Sequence, residues 1–189
     1  MPVLIEAISV VIRRKAINDK YPGGYLAFEQ DAPMMGPVDT LCADDDLVRI
    51  GFMSPFDVKT FCDWLGSFGI GSPDKPVDLA VIDQITSAVT PCDWIETTGF
   101  TVEDGGPVLV ARLVGSTDET LFVPEHWSWA DSITKNCFFV PSSEVEATFA
   151  FVRMGDDGLE VWRDKASGEL RYIGRPTDPL IALSQRVQA

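Results

Sequence analysis

The chain has 189 residues, of which 46% are hydrophobic and 23% are charged, and its net charge is −14. These proportions are those of a globular protein with a buried core, and they argue against a wholly disordered chain. A negative charge of this size repels nucleic acid and anionic lipid, so we expect neither nucleic acid nor a membrane as a partner, whereas a basic protein is favoured.

The negative charge is concentrated in the middle of the sequence. The first 20 residues carry four basic and two acidic side chains, and the last 27 residues carry five basic and three acidic side chains. Because both ends are thus net positive, residues 21–162 have a net charge of −18. Such a segment accelerates the encounter with a cationic partner. The simpler interpretation is that an acidic composition keeps a cytoplasmic protein in solution.

The N-terminal part of the chain predicts a strand and then a long connection. Residues 3–12 are rich in β-branched side chains and predict one long first strand. This apolar run is too short to span a bilayer and follows no basic segment, so we expect a cytoplasmic protein without a secretion signal. Residues 20–46 follow as an irregular stretch, with one helical turn at 25–29.

The best-defined unit lies between residues 47 and 83. Two apolar segments, 47–53 and 77–83, predict strands. Between them, Ser54 is a suitable N-cap and Pro55 suits the first position of a helix. One face of that helix carries the apolar side chains of Phe61, Trp64, Leu65 and Phe68. This order predicts a β-α-β unit, whose crossover is expected to be right-handed.

Shorter elements are predicted in the second half of the chain. Strands are expected at 92–98, 107–114 and 119–123, and a hairpin over 158–175. Residues 142–153 are predicted as a helix, because Ser143 and Glu146 have the spacing of a capping box. A strand is the alternative there, since apolar residues also alternate. A short C-terminal helix is expected from residue 177.

Together these elements predict a single α+β domain over residues 1–189, with a largely antiparallel mixed sheet and two main helices. A faint repeat leaves open two β-α-β-type halves, at about 1–100 and 101–189. Near residue 57 and again near residue 144, a predicted strand is followed by a turn with Pro and Ser, then by an acidic residue and Val, and then by Phe.

Cysteine and glycine patterns give no support for a metal or cofactor site. The four cysteines (Cys42, Cys62, Cys92 and Cys137) are far apart and form no CxxC pair, and the chain has one histidine. Free buried thiols are expected. Neither GxGxxG nor GxxxxGKS occurs, so no cofactor is predicted.

The segment EHWSW holds the single histidine, His126, between Glu125 and two tryptophans, Trp127 and Trp129. A histidine with a neighbouring carboxylate can move protons, but no nucleophile motif accompanies it. The absence of a catalytic set favours a non-enzymatic role. The tryptophans are predicted to pack in the core, and the alternative is an exposed recognition surface.

Two functions follow from these observations. The first is a protein-binding or inhibitory module that docks a basic partner. Its candidate contact residues are acidic or belong to the tryptophan segment: Asp44, Asp45, Asp46, Asp93, Glu96, Glu125, His126, Trp127 and Trp129.

The alternative is a metal-free protein or enzyme that binds a small molecule in a pocket between two β-α-β halves. Its expected lining residues are Phe52, Trp64, Trp94 or Trp162. By topology alone this arrangement is similar to the paired-module metalloenzymes that include glyoxalases and dioxygenases. The single histidine departs from their sets of metal ligands.

Overall fold

The computed structural model describes residues 1–71, 78–84, 87–88, 92–136, 147–154 and 160–173. The strands in chain order are β1 (Val3–Ile5), β2 (Ile8–Arg13), β3 (Cys42–Ala43), β4 (Leu47–Phe52), β5 (Leu79–Asp83), β6 (Ser87–Ala88), β7 (Ile95–Thr101), β8 (Pro107–Leu113), β9 (Phe149–Met154), β10 (Glu160–Asp164) and β11 (Leu170–Ile173). The α-helices are α1 (Arg14–Lys20), α2 (Gly24–Asp31), α3 (Pro55–Ser67) and α4 (Ile133–Asn136), and 3-10 turns lie at Ala32–Met34 and Val38–Thr40. The α+β class with antiparallel sheets is therefore confirmed.

A five-stranded sheet forms the centre of the fold, in the order β3-β4-β2-β5-β6. Every neighbouring pair in it is antiparallel. Strands β4 and β5 both pair with β2, so they run parallel to each other on either side of it. Helix α3 connects them, as the sequence predicts, and the side chain of Ser54 accepts a hydrogen bond from the backbone N–H of Phe56 as its N-cap.

Helices cover one face of this sheet and a second sheet covers the other. Alternate residues of β2 and β4, such as Val10 and Ile50, pack with α1, α2 and α3 in one apolar cluster. The intervening residues, such as Val11 and Leu47, join a second cluster with the three-stranded sheet β1-β8-β7. The result is a helix layer and two sheet layers with a core on each side of the central sheet.

The long first strand predicted from residues 3–12 is two strands, and that prediction is wrong. Strand β1 pairs with β8 in the second sheet, whereas β2 lies in the middle of the five-stranded sheet. The chain crosses between the sheets at Glu6 and Ala7, where Ala7 has a φ of 51°. A positive φ ends the extended backbone, so Glu6 comes to lie between the two sheets.

The connection 20–46 is more ordered than predicted. Helix α2 extends the expected turn at 25–29, and two 3-10 turns follow it. Gly23 and Gly24, with φ values of 85° and 68°, form the tight turn that separates α1 from α2. Aromatic residues of α2, chiefly Phe28, hold this segment on the core because they pack against Trp64 and Tyr21.

Residues 149–153 form a strand, so the helix predicted over 142–153 is wrong for this part; residues 142–146 lie outside the described residues. Strand β9 pairs with β10, and β10 pairs with β11 in the predicted hairpin. The hairpin provides the partner that the alternating pattern requires, and Phe151 packs edge-on against Trp162. Residues 147–148, directly before this strand, are helical, and the repeat of two halves stays a prediction.

Two further predictions are affected by the structure. The segment 119–123 is not a strand of a sheet and makes one parallel bridge between Val3 and Phe122. The C-terminal helix expected from residue 177 lies outside the described residues. Within the described part of the chain, no helix has the length and apolar character needed to cross a membrane.

Candidate functional site

A cavity of about 410 Å³ opens where the chain crosses between the two sheets. Four segments meet there: the crossing at Glu6 and Ala7, the 3-10 turn that contains Thr40, the end of β4, and the segment 124–133. This volume lies in the range of sites that bind small molecules. The cavity is thus assembled from parts of the sequence that are more than 100 residues apart.

Arg49 forms the positively charged wall of this cavity. Alternation along β4 places Arg49 on the face toward the second sheet, and only 2% of its surface is exposed. Its Nε donates to Ser9 Oγ at 2.9 Å, Nη1 to the Thr40 carbonyl at 2.9 Å and Nη2 to the Glu6 carbonyl at 2.8 Å. These three bonds fix the guanidinium between the sheets.

Glu6 forms the negatively charged part of the same wall and is 6% exposed. Its Oε1 accepts hydrogen bonds from the backbone N–H and the hydroxyl of Thr134, at 3.0 and 2.8 Å. Its Oε2 accepts from the indole Nε1 of Trp127 at 3.0 Å. Glu6 therefore holds the segment that contains Trp127 and Thr134 against the crossing between the sheets.

The two buried charges are close but do not form an ion pair. Among the residues that the structure describes, no carboxylate oxygen lies within 4.0 Å of the Arg49 guanidinium. Burial lowers the pKa of Arg49, and the nearby negative charge of Glu6 acts in the opposite direction. The protein thus maintains a buried guanidinium whose hydrogen-bond acceptors are all neutral.

Gly51 makes room for this guanidinium. A β-carbon at Gly51 would stand 2.5 Å from Nη2 of Arg49, which is closer than two such atoms can approach. Gly51 also lines the cavity. The glycine is therefore required by the buried arginine two residues earlier in the same strand.

The remaining walls of the cavity are mostly apolar. Phe52 is buried, whereas Met53 at the mouth is 45% exposed. The other apolar lining comes from Pro37, Pro124, Trp127 and Ile133. At the rim, Asp39 and His126 are exposed. The arrangement suits a ligand with an apolar body and a polar group directed at the buried charges.

The tryptophan segment belongs to the core and to the cavity wall. Trp127 and Trp129 are half-buried and pack against Leu4 and neighbouring residues of β8. The ring of Trp129 lies on the EDGG turn, where a β-carbon at Gly106 would come within 2.6 Å of it. Core packing is thus observed for both tryptophans, and Trp127 also lines the cavity.

The acidic triplet does not form one exposed patch. Asp44 is buried, accepts hydrogen bonds from the backbone N–H groups of Asp46 and Leu47 at 2.7 and 2.5 Å, and lies 2.9 Å from the N-terminal ammonium. This makes Asp44 a structural residue of the turn before β4. Asp45 is exposed and lies 3.7 Å from Arg14.

Two other acidic candidates, Asp46 and Asp93, border a second cleft of about 460 Å³. The same cleft is lined by Arg13 and Lys15, and the guanidinium of Arg13 lies 4.5 Å from the ring centre of Trp94. The local charge there is balanced rather than negative. Glu96 accepts a hydrogen bond from Arg112 across β7 and β8 at 2.7 Å, and Glu125 is exposed beside the first cavity.

The residues expected to line a single pocket lie in four places. Phe52 lines the cavity beside Arg49, and Trp94 lines the second cleft. Trp64 packs with Tyr21, which follows α1, and with Phe28 of α2, and Trp162 packs on Phe151 in the third sheet. One of the four candidate residues, Phe52, thus lines the cavity, and the small-molecule pocket stays a prediction.

No group of three His, Cys, Asp or Glu side chains that could hold a metal occurs within the described ranges. The thiols of Cys42 and Cys62 are buried, and burial raises the pKa of Cys42 to about 11 and that of Cys62 to about 12. These cysteines are protonated at neutral pH and act as small apolar side chains.

The two charged residues at the centre of the site are not among the residues predicted from the sequence. Glu6 and Arg49 each interrupt an otherwise apolar strand segment, VLIEAI and LVRIGF. Charged side chains are rarely buried without a specific partner. A charged residue within an apolar strand segment is therefore the sequence feature by which both residues could have been identified.

Comparison of the chain with protein-family models, with curated proteins and with solved structures gives no match.

Proposed function

We propose that this protein binds a small molecule, without a metal, in the cavity between its two sheets. The observation that carries the proposal is the buried pair of Arg49 and Glu6 at the wall of a cavity of about 410 Å³. Buried charges cost free energy unless they have partners, and sites that retain them are often functional.

The architecture of the site supports binding rather than mere packing. The charged wall is fixed by backbone and side-chain hydrogen bonds before a ligand arrives, so little ordering is needed on binding. The apolar lining from Phe52, Met53 and Trp127 gives area for burial. Such a combination of apolar walls with a few placed polar groups is typical of ligand sites.

The proposal is tested by filling the mouth of the cavity. Met53→Trp adds volume at a lining residue, and Met34→Trp makes the same change at a residue that is 84% exposed and does not line the cavity. Both variants and the unaltered protein are screened for thermal stabilisation by a panel of anionic, neutral and cationic metabolites. Because a ligand that binds only the folded state raises its stability, a true ligand raises the melting temperature.

We expect at least one compound to stabilise the unaltered protein and the Met34→Trp variant but not the Met53→Trp variant. The melting temperatures without added compound show whether each variant is folded. Stabilisation that persists in Met53→Trp at the same ligand concentration would place the site elsewhere, and a panel without any stabilising compound would argue against the proposal.

Docking of a basic protein remains the second candidate, since the net charge is −14. Asp46 and Asp93 are its exposed candidate residues, in a cleft that Arg13 and Lys15 also line. Its test is capture of basic proteins by the unaltered chain and by an Asp46→Asn/Asp93→Asn variant, at low and high salt. Docking at this cleft predicts a stoichiometric basic protein that the variant loses and that high salt releases. Equal capture by both chains would exclude the cleft as the docking site.

A further inference from the structure

We propose that the ligand of the cavity between the sheets is a small monocarboxylic acid with an apolar body, held through its carboxylate by the two η-nitrogens of Arg49. This inference rests on the proposed function and assigns the chemical class of the ligand.

Unused hydrogen-bonding capacity is the first argument. A guanidinium has five N–H donors, and Arg49 uses three of them, on Nε, Nη1 and Nη2, to bond described residues. One N–H on each η-nitrogen is thus left without a partner among residues 1–71 and the other described ranges. Two donors on adjacent nitrogens match the two oxygens of a carboxylate.

Charge is the second argument. The acceptors around Arg49 are two carbonyls and a hydroxyl, whereas the oxygens of Glu6 are already engaged by Trp127 and Thr134. A ligand carboxylate supplies the counter-charge that these neutral groups do not. Because Glu6 and the exposed Asp39 lie in the same cavity, a phosphate with nearly two charges meets more repulsion than a monoanion does.

Shape is the third argument. Gly51 has no side chain beside Nη2, and both Gly51 and Arg49 line the cavity. Beyond the charged wall, Phe52 and Ile133 offer apolar surface. An aromatic or branched aliphatic body attached to the carboxylate therefore fits the rest of the space.

The test compares three probes of nearly equal size and different charge by calorimetry at neutral pH: phenylacetate, phenylacetamide and phenethylamine. Since hydrogen bonds to a charged group are the stronger ones, phenylacetate is expected to bind at least about tenfold more tightly than the other two. An Arg49→Met variant that remains folded is expected to lose this preference.

A second pair of variants tests the same inference if Arg49→Met does not fold. Asp39→Asn removes a negative charge at the rim, and Asp104→Asn removes one from an exposed turn that does not line the cavity. Asp39→Asn is expected to strengthen phenylacetate binding by roughly twofold at low salt, with no gain at high salt, and Asp104→Asn is expected to leave it unchanged.

The outcomes separate this inference from the proposed function. Equal binding of phenylacetate and phenylacetamide, abolished by Met53→Trp, would overturn the carboxylate assignment and leave the cavity as the binding site. Tighter binding of phenethylamine would identify Glu6 as the determinant and would also overturn the inference. Absence of binding by all three probes at millimolar concentration would overturn it, whereas the metabolite screen decides the proposed function independently.

Discussion

Arg49 and Gly51 show how one buried charge constrains its neighbours. The guanidinium occupies the space beside the α-carbon of Gly51, where a β-carbon would stand 2.5 Å from Nη2. The guanidinium is held by three hydrogen bonds to other segments, so Nη2 cannot move aside freely. A side chain at residue 51 must therefore displace the arginine or the strand.

Gly51→Ala is accordingly expected to destabilise the protein by about 1–3 kcal/mol, the usual cost of overpacking a filled interior. The free energy of unfolding is measured by urea denaturation. The matched control is Gly66→Ala in α3, where a β-carbon would meet nothing within 4 Å. There alanine is expected to stabilise by about 0.5–1 kcal/mol, because glycine is unfavourable inside a helix. Destabilisation of similar size in both variants would refute this explanation.

Tyr21 and Tyr25 give the molecule a predicted response to alkaline pH. Burial, and then the hydrogen bond to Asp31, raises the pKa of Tyr21 from 10.0 to about 12, and burial and Glu29 raise that of Tyr25 similarly. A folded-state pKa above the unfolded value means that these groups stay protonated to a higher pH in the folded state than in the unfolded state. The stability from these groups is complete below pH 10 and is lost as the pH rises toward 12.

Unfolding free energies measured between pH 9 and 12 should therefore fall, and Tyr21→Phe should reduce the slope because it removes one of the titrating groups. The variant Tyr25→Phe should reduce it in the same direction. A slope that neither substitution changes would show that other groups, such as the buried thiols, account for the alkaline loss.

At the level of elements, helix α3 is the part that local sequence specifies best. Its N-cap, first-turn proline and apolar face are all read from residues 54–68, and the helix is observed at Pro55–Ser67. Such signals are short-range and do not depend on the rest of the fold. The hairpin of β10 and β11 is predicted for the same reason.

Ser54→Ala tests this local account. The serine hydroxyl accepts a hydrogen bond from the Phe56 N–H at 3.2 Å, so its loss is expected to cost about 1 kcal/mol of stability. Chemical denaturation measures the difference. Ser67→Ala in the last turn of α3, where the hydroxyl donates to the Trp64 carbonyl on the exposed surface, is the comparison and is expected to cost less. An equal effect of the two changes would argue against the capping role.

Other elements depend on information that the local sequence does not contain. Residues 3–12 read as one strand, because nothing in the pattern indicates the positive φ at Ala7 that moves the chain to another sheet. The apolar residues of 149–153 fit the periodicity of a helix and that of a strand, and the pairing with β10 is what makes this segment a strand. In the same way, a helix in the loop 20–46 is stabilised by distant aromatic partners such as Trp64.

On the scale of the whole molecule, the cavity arises because four distant segments meet at the crossing between the sheets at residue 6. The hydrogen bond between Glu6 and Trp127 joins residues 121 positions apart, and that between Glu6 and Thr134 joins residues 128 apart. No analysis of spacing along the chain identifies such contacts. The sequence pointed to the tryptophan segment, but not to the buried charges that it meets.

The candidate docking residues illustrate the same limit. The three aspartates at 44–46 are adjacent in sequence, yet the first is buried in a turn and the other two are exposed. Net charge describes the composition of a chain and not where its charges lie. The single-domain organisation and the docking of a basic protein stay predictions.

The most direct test of the central claim is an NMR titration of the tryptophan indole N–H signals with phenylacetate. Trp127 lines the cavity and donates its indole N–H to Glu6, whereas Trp94 lines the second cleft. Variants with phenylalanine at each residue assign the two signals. The account predicts a saturable shift of the Trp127 signal with the Trp94 signal unchanged. A shift of Trp94 alone, or an unchanged Trp127 signal at saturating phenylacetate, would contradict it.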